Sequence, residues 1–283
     1  MAIDARQLQA RGVYETRAPL GTLFQDLDQI EKLFEEIAAF RRKIRLVGAL
    51  SALAGLAFAI AGSNVPSTAL VFCAILAFVF FVVLLIYSFI YGRKLLKHQD
   101  RLAVLRDLAR SLQHDADLRS PFSVTLALAS QAKLVREEAW LARKNGKERF
   151  FEETFLSLEG KLLDGAALTE TVTEFNRKRT FKNPRGKVKT KTRSRYLATV
   201  RFAYPNDVYG DARPALAALK EEILLPAFAS LRDTRVTEKA IIVKALVIRK
   251  EDVAQTCAMM SLGAYRILNL ARRVATGGQG GKP

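Results

Sequence analysis

Residues 46–61 read LVGALSALAGLAFAIA, and residues 68–91 read TALVFCAILAFVFFVVLLIYSFIY. Between them lies the uncharged, turn-type string Gly62-Ser63-Asn64-Val65-Pro66-Ser67. A hydrocarbon core about 30 Å thick takes roughly 20 helical residues to cross. The second stretch meets that length outright, and the first does so once Arg45 snorkels and Ser63 sits among the headgroups. Nothing else in the 283 residues could cover so much apolar surface. A transmembrane hairpin is therefore expected, its first helix over 46–63 and its second over 67–92.

The flanks orient the hairpin. Arg41, Arg42, Lys43 and Arg45 precede it, Arg93, Lys94 and Lys97 follow it, and the connecting loop carries no charge. The positive-inside rule puts both termini in the cytoplasm. The apolar run starts well inside the chain and lacks a cleavage-type end, so a signal peptide is not expected. Cys73 and Cys257 form no disulfide framework, which suits a reducing compartment. The expected location is a bacterial inner (cytoplasmic) membrane, and an organelle membrane fits the same signals.

Heptad spacing continues outward from both spans. Leu23, Leu27, Ile30, Phe34, Ile37 and Ile44 form one stripe, with Arg41 at a seam position, and His98, Leu102, Leu105, Ala109 and Leu112 form another. Stalk helices are expected over 20–45 and 93–117, each continuing its span and projecting roughly 30 Å. They would pack antiparallel within one chain, with a parallel coiled coil between copies as the alternative. The first span is rich in small residues, among them Gly48, Ser51, Gly55 and Ala59, which allow close helix approach in lipid. The second carries Phe72, Phe78, Phe80, Phe81, Tyr87, Phe89 and Tyr91. An oligomeric bundle with first spans inside and second spans facing lipid is expected; alternatively the small face packs only on the chain's own second span. Neither span holds an ionisable group inside the membrane, which argues against a proton relay.

After an N-terminal segment, 1–19, and the stalk, residues 118–275 change to period-two patterning, followed by a flexible tail over 276–283. Strands are expected over 122–129, 133–143, 148–156, 168–181, 187–204 and 236–249, with turns at Lys144-Asn145-Gly146-Lys147, Asp164-Gly165 and Asn183-Pro184-Arg185-Gly186. Helices are expected over 212–231 and 251–275, the second with Val253, Cys257, Met260, Ala264, Ile267 and Ala271 on one stripe. The fold class is a membrane α+β protein. A two-helix transmembrane hairpin is extended by a cytoplasmic antiparallel helical stalk, then a mostly antiparallel β-meander with two packing helices.

The formal net charge is +17, and residues 118–210 alone carry 19 basic against 10 acidic residues. Residues 175–206 hold eleven basic residues and no acidic one. Strand alternation puts Lys187, Lys189, Lys191, Arg193 and Arg195 on one face. A turn over 183–186 would set Lys182 opposite Lys187, Lys178 opposite Lys191, Asn176 opposite Arg193, Glu174 opposite Arg195 and Val172 opposite Leu197. Like charges placed opposite each other destabilise a hairpin unless an anion sits between them. Arg177, Lys178, Lys187, Lys189, Lys191, Arg193 and Arg195 are thus the candidate polyanion site, on a projecting basic finger. Three readings compete: an edge-protecting basic hairpin, a nucleic-acid or nucleotide binder with Phe175, Phe181 and Tyr196 for stacking, and contact with acidic lipid.

Catalytic signals are sparse. His98 and His114, the only histidines, lie on the stalk and its end; no metal-ligand spacing, phosphate loop or nucleophile–base arrangement is evident. Neither an enzyme nor a cofactor is expected. The layout of two spans followed by a basic β domain resembles the two-transmembrane, β-domain membrane effectors of bacterial anti-phage signalling. The resemblance rests on layout and on no diagnostic motif, so no functional residue carries over. It implies a cytoplasmic domain that senses a nucleotide or nucleic acid and oligomerised spans that permeabilise the membrane. The expected function is a non-enzymatic sensor-effector of this kind, partnered by lipids and by further copies of itself. The alternative is a membrane-tethered scaffold that holds a protein or nucleic-acid complex without conductance.

Overall fold

A computed structural model describes residues 8, 11–64, 68–90, 96–117, 119–139, 146–183, 185–215 and 223–277. Arg93, Lys94, Lys144, Asn145, Pro184, the connecting residues 65–67, part of the expected helix (216–222) and the tail from 278 onward lie outside the described residues.

Helix α1, Leu20–Asn64, runs unbroken for 45 residues through the first stalk and the first apolar stretch. Helix α2, Thr68–Ile90, is the second apolar stretch. Both are long and apolar enough to cross a membrane. The stalk stripe is buried at every expected position from Leu23 to Ile44. It packs on helix α3, Asp100–Ser111, within the same chain. Arg106 donates to Glu31 at 2.6 Å and to Asp28 at 2.7 Å, tying α3 antiparallel to α1. The second stalk helix does not simply continue α2, as expected from sequence. A turn at Lys97-His98-Gln99 precedes α3, and the Arg101 and Leu102 amides donate back three residues to the His98 and Gln99 carbonyls. This tightened entry lays Arg101 onto the sheet.

The small face of the first apolar stretch is turned towards α2. The Ser51 hydroxyl donates to the Ala77 carbonyl at 2.8 Å, and Gly48 lies against Phe81 and Leu84. Near the basic end, Arg41 and Arg45 donate to the Ser88 carbonyl and hydroxyl. Ala59 is exposed. The face expected to join copies is therefore occupied within the chain. A Cβ on Gly55 would lie 3.3 Å from the Ala77 methyl and 3.4 Å from the Ala74 carbonyl. Gly55→Leu has no room, and overpacking of this size costs about 1–3 kcal/mol. The variant should melt well below wild type in detergent, whereas Gly55→Ala should melt close to it; equal melting of the Leu variant would contradict this packing.

An antiparallel sheet of eight strands follows: β1 (Val13–Ala18), β2 (Phe122–Ala127), β3 (Lys133–Ala139), β4 (Lys147–Lys161), β5 (Ala167–Lys182), β6 (Val188–Ala203), β7 (Ala229–Val236) and β8 (Ala240–Val247). The spatial order is β1-β2-β4-β5-β6-β8-β7, with β3 added on β4. Strand β1 lies in the expected N-terminal segment, where a six-residue strand gives little signal; β2, more than a hundred residues later, supplies its pairing. Residues 229–231, expected to be helical, open β7, and the expected strand over 236–249 splits at a turn. Thr237 closes that turn through its backbone and hydroxyl bonds to Ala240, so β7 and β8 form a hairpin whose pairing overrides local helix preference.

One face of the sheet is the core. Leu126, Leu158, Leu168, Val172, Val200, Phe202 and Val243 are buried there beneath α1, α3 and helix α5, Val253–Gly277. All six expected stripe residues of α5 are buried. The short helix α4, Asn206–Tyr209, closes the far end, where the Tyr209 hydroxyl donates to Asp164.

A carboxyl lies inside this core. Glu170 on β5 is 1% exposed; Ser261 of α5 donates to its Oε1 at 3.2 Å, and its Oε2 has no partner among the described residues. Burial pushes its pKa up to about 7. A raised carboxyl stabilises the fold below its unfolded pKa of about 4.3, and this contribution fades as pH rises through 7. At about 1.4 kcal/mol per pKa unit, the loss is on the order of 3 kcal/mol. Glu170→Gln should match wild type at pH 4 and exceed it in thermal stability at pH 8; identical pH profiles for the two would contradict this.

Candidate functional site

Beyond the helix-packed half, the sheet continues as a blade. Strand β2 pairs with β4 only over 156–159, and β8 pairs with β6 only from Tyr196 onward. The remainder comprises β3, the first half of β4, the second half of β5 and the first half of β6. The expected basic finger is thus one side of a four-stranded extension, not a lone hairpin.

Its register differs by one residue from expectation. The Asn183 amide bonds the Lys187 carbonyl, the Lys187 amide bonds the Asn183 side chain, and Gly186 takes φ +76°. The left-handed glycine turns the connection into a bulged loop that takes in Lys187, so Lys182 pairs with Val188. Lys178 then faces Thr192, Asn176 faces Ser194, Val172 faces Ala198, and Glu174 faces Tyr196. Lys178 lies on the opposite face from Lys189, Lys191, Arg193 and Arg195 and leaves the expected cluster. Those four stand opposite Phe181, Arg179, Arg177 and Phe175. The slip also takes Arg195 away from Glu174, the acidic neighbour it was expected to have.

Charge is sorted across the blade. On the β3–β4 side, Glu148 accepts from Arg177 and from Arg179, and their hydrogen bonds hold its pKa down to about 2. Glu137 pairs with Lys147 at 3.3 Å and Arg149 at 2.9 Å, and Glu138 pairs with Arg136 at 3.1 Å. Phe150 lies between two guanidinium groups, 4.5 Å from Arg136 and 5.6 Å from Arg177. On the β6 side, Lys187, Lys189, Lys191, Arg193 and Arg195 form no ion pair with any described carboxylate. This half of β6 is also the sheet's outer edge, exposed at every residue from Val188 to Arg193 and again at Arg195. A cleft of about 490 Å³ opens on this face, lined by Val135, Arg136, Phe150, Phe175, Arg177, Arg193 and Arg195, among others. Basic groups over apolar walls can hold a phosphate with an apolar moiety attached. Phe175 sits on this cleft, while Phe181 and Tyr196 are buried, Tyr196 edge-on to Phe155.

A buried ion cluster marks the base of the blade. Glu153 and Glu174 stand directly opposite each other on β4 and β5, on the core face. Arg101, 0% exposed, enters from α3 and closes both Glu153 oxygens, at 3.0 and 2.8 Å. It also reaches Glu174 at 2.7 Å and the Ala127 carbonyl at 2.8 Å. Burial pushes the Glu153 carboxyl up, but Arg101 and the Gln131 amide outweigh it and hold the group below its usual range. Arg101 and Lys250 both lie over the Phe155 ring, and Lys250 pairs with Asp100 at 2.7 Å. His98 is depressed by burial, then by Arg101 and Lys250. The cluster thus joins stalk to blade.

Sequence reasoning missed Arg101, Glu153 and Phe150. Arg101 carried one signal, a charge immediately beside the buried stripe at Leu102. Among the described residues, no group of three or more His, Cys, Asp or Glu side chains could hold a metal ion. Compared with known proteins, the chain matches no family model, no curated protein and no solved structure.

Proposed function

We propose that this chain is a non-enzymatic, membrane-anchored protein that binds phosphate-bearing anions through the free edge of its basic blade. In this reading the apolar part of α1 and helix α2 cross a bacterial inner membrane, with both termini in the cytoplasm. The unbroken α1 and the Arg101 cluster hold the sheet domain in fixed relation to the spans. The observation that carries the reading is the sorting of charge: carboxylates on β3 and β4 neutralise their own side, and the β6 edge is left basic and uncompensated. An oligomeric pore, as in the effectors the layout resembles, is less well supported, because Gly48, Ser51 and Gly55 already pack on α2. The anchored binding module is preferred.

The test is binding of inorganic polyphosphate to the full-length protein in nanodiscs of neutral phosphatidylcholine. If the five basic residues from Lys187 to Arg195 neutralise five phosphates, the affinity should fall by about one hundred- to five-hundredfold between 50 and 200 mM salt. No binding at 50 mM salt would sink the anion-binding reading.

A further inference from the structure

The direction of the blade has a consequence for where its anion comes from. Helix α3 runs along the sheet, from Arg101 beside Glu153 and Glu174 to the bridge between Ala116 and Leu162. It runs antiparallel to α1, with Arg106 level with Glu31, so Arg101 lies level with about Glu36. From Glu36, α1 needs only about 14 Å to reach Arg45, the last charge before the apolar stretch. From Glu174, β5 continues in the same sense, towards the spans, to Lys182 and the turn beyond, about 30 Å further. The blade is thus about twice as long as the remaining stalk. Even at an inclination of about 60° between strand and helix, its tip reaches the plane of Arg45.

What arrives at that plane is suited to a bilayer surface. Lys187, Lys189 and Lys191, nearest the tip, have no carboxylate partner among the described residues, and basic residues are attracted to an anionic leaflet. Val188, beside the turn and between Lys187 and Lys189, is 63% exposed. Apolar side chains flanked by lysines fit the boundary between headgroups and acyl chains. Among the described residues, the outward amides of the distal end of β6 have no neighbouring strand, and headgroup phosphates can accept from them.

We propose that the distal end of β6, from Lys187 to Lys191, docks on the anionic leaflet of the membrane that the chain spans, so that lipid-headgroup phosphates are the anions it binds. The inference rests on the membrane-anchored reading and names the ligand of that same site. Docking would clamp the sheet domain at two points, through α1 and through the blade, and fix its height and orientation over the membrane.

The test compares full-length protein in nanodiscs of phosphatidylcholine alone with nanodiscs containing 30% phosphatidylglycerol, an illustrative anionic fraction on the order of natural membranes. Hydrogen–deuterium exchange of amides 188–191 is the readout. The expected result is exchange at least tenfold slower in the anionic discs, reversed at 0.5 M salt, with polyphosphate binding weakened there by competition. Lys189→Glu/Lys191→Glu/Arg193→Glu should incorporate equally well and show no lipid-dependent protection. Equal exchange in both lipids, with polyphosphate bound equally in both, overturns lipid docking and leaves a soluble polyanion, nucleic acid included, as the ligand. Failure to enter nanodiscs, with the protein soluble without detergent, overturns the anchored reading and the docking with it.

Discussion

Arg101→Met is expected to lower folding stability by about 3–5 kcal/mol, the usual cost of removing one partner from a buried ion cluster. Glu153 and Glu174 would remain directly opposed at the base of the blade, both buried, with the cation between them gone. The loss should depend on pH with a definite sign. In wild type, Arg101 holds Glu153 below its ordinary range, so its contribution is present at neutral pH and lost only in acid. In the variant, burial of Glu153 is no longer offset by Arg101 and should raise its folded-state pKa, so the defect shrinks as pH falls towards 4 and grows as it rises. Arg101→Met/Glu153→Gln/Glu174→Gln should recover most of the stability, because no uncompensated charge is left buried. Denaturant unfolding of the detergent-purified protein reads all three. An Arg101→Met variant as stable as wild type at pH 7 would show that the cluster does not hold the blade to the stalk.

Lys189→Glu/Lys191→Glu/Arg193→Glu should weaken polyphosphate binding in neutral nanodiscs by a hundredfold or more at low salt, and flatten its salt dependence. The three side chains are exposed and form no ion pair with any described carboxylate, so folding should be unaffected. The matched control is Lys178→Glu, on the other face of the same hairpin. It should cost much less than any one of the three, since the Gly186 bulge moves Lys178 out of the cluster. If Lys178→Glu is as damaging as Lys191→Glu, the observed register does not describe the binding surface.

The parts of this molecule legible from sequence are those whose cause is local. The stripe from Leu23 to Ile44 repeats at helical spacing, and its burial follows from that spacing alone. The same holds for Val253 to Ala271, and for the alternation in β5 and β6. The one-residue register change came from a single backbone choice: Gly186 at positive φ converts a four-residue turn into a bulged loop, and period-two alternation carries the change to every pair. Strand β1 and the β7–β8 hairpin depend on partners supplied by tertiary pairing. Arg101 was illegible for a related reason. Its burial depends on Glu153 and Glu174, 52 and 73 residues away, and no local spacing links either to Arg101. The basic edge itself was legible as composition; which of its members share a face was not.

The most direct test of the account is the disposition of the full-length chain in membranes of a bacterial host expressing it. The account predicts that the protein stays with the pellet after alkaline carbonate extraction. Protease should remove the sheet domain in inverted vesicles and spare it in sealed right-side-out ones. Release into the supernatant at high pH, or digestion from the outer side, would contradict the anchored, cytoplasm-facing arrangement on which the role of the blade depends.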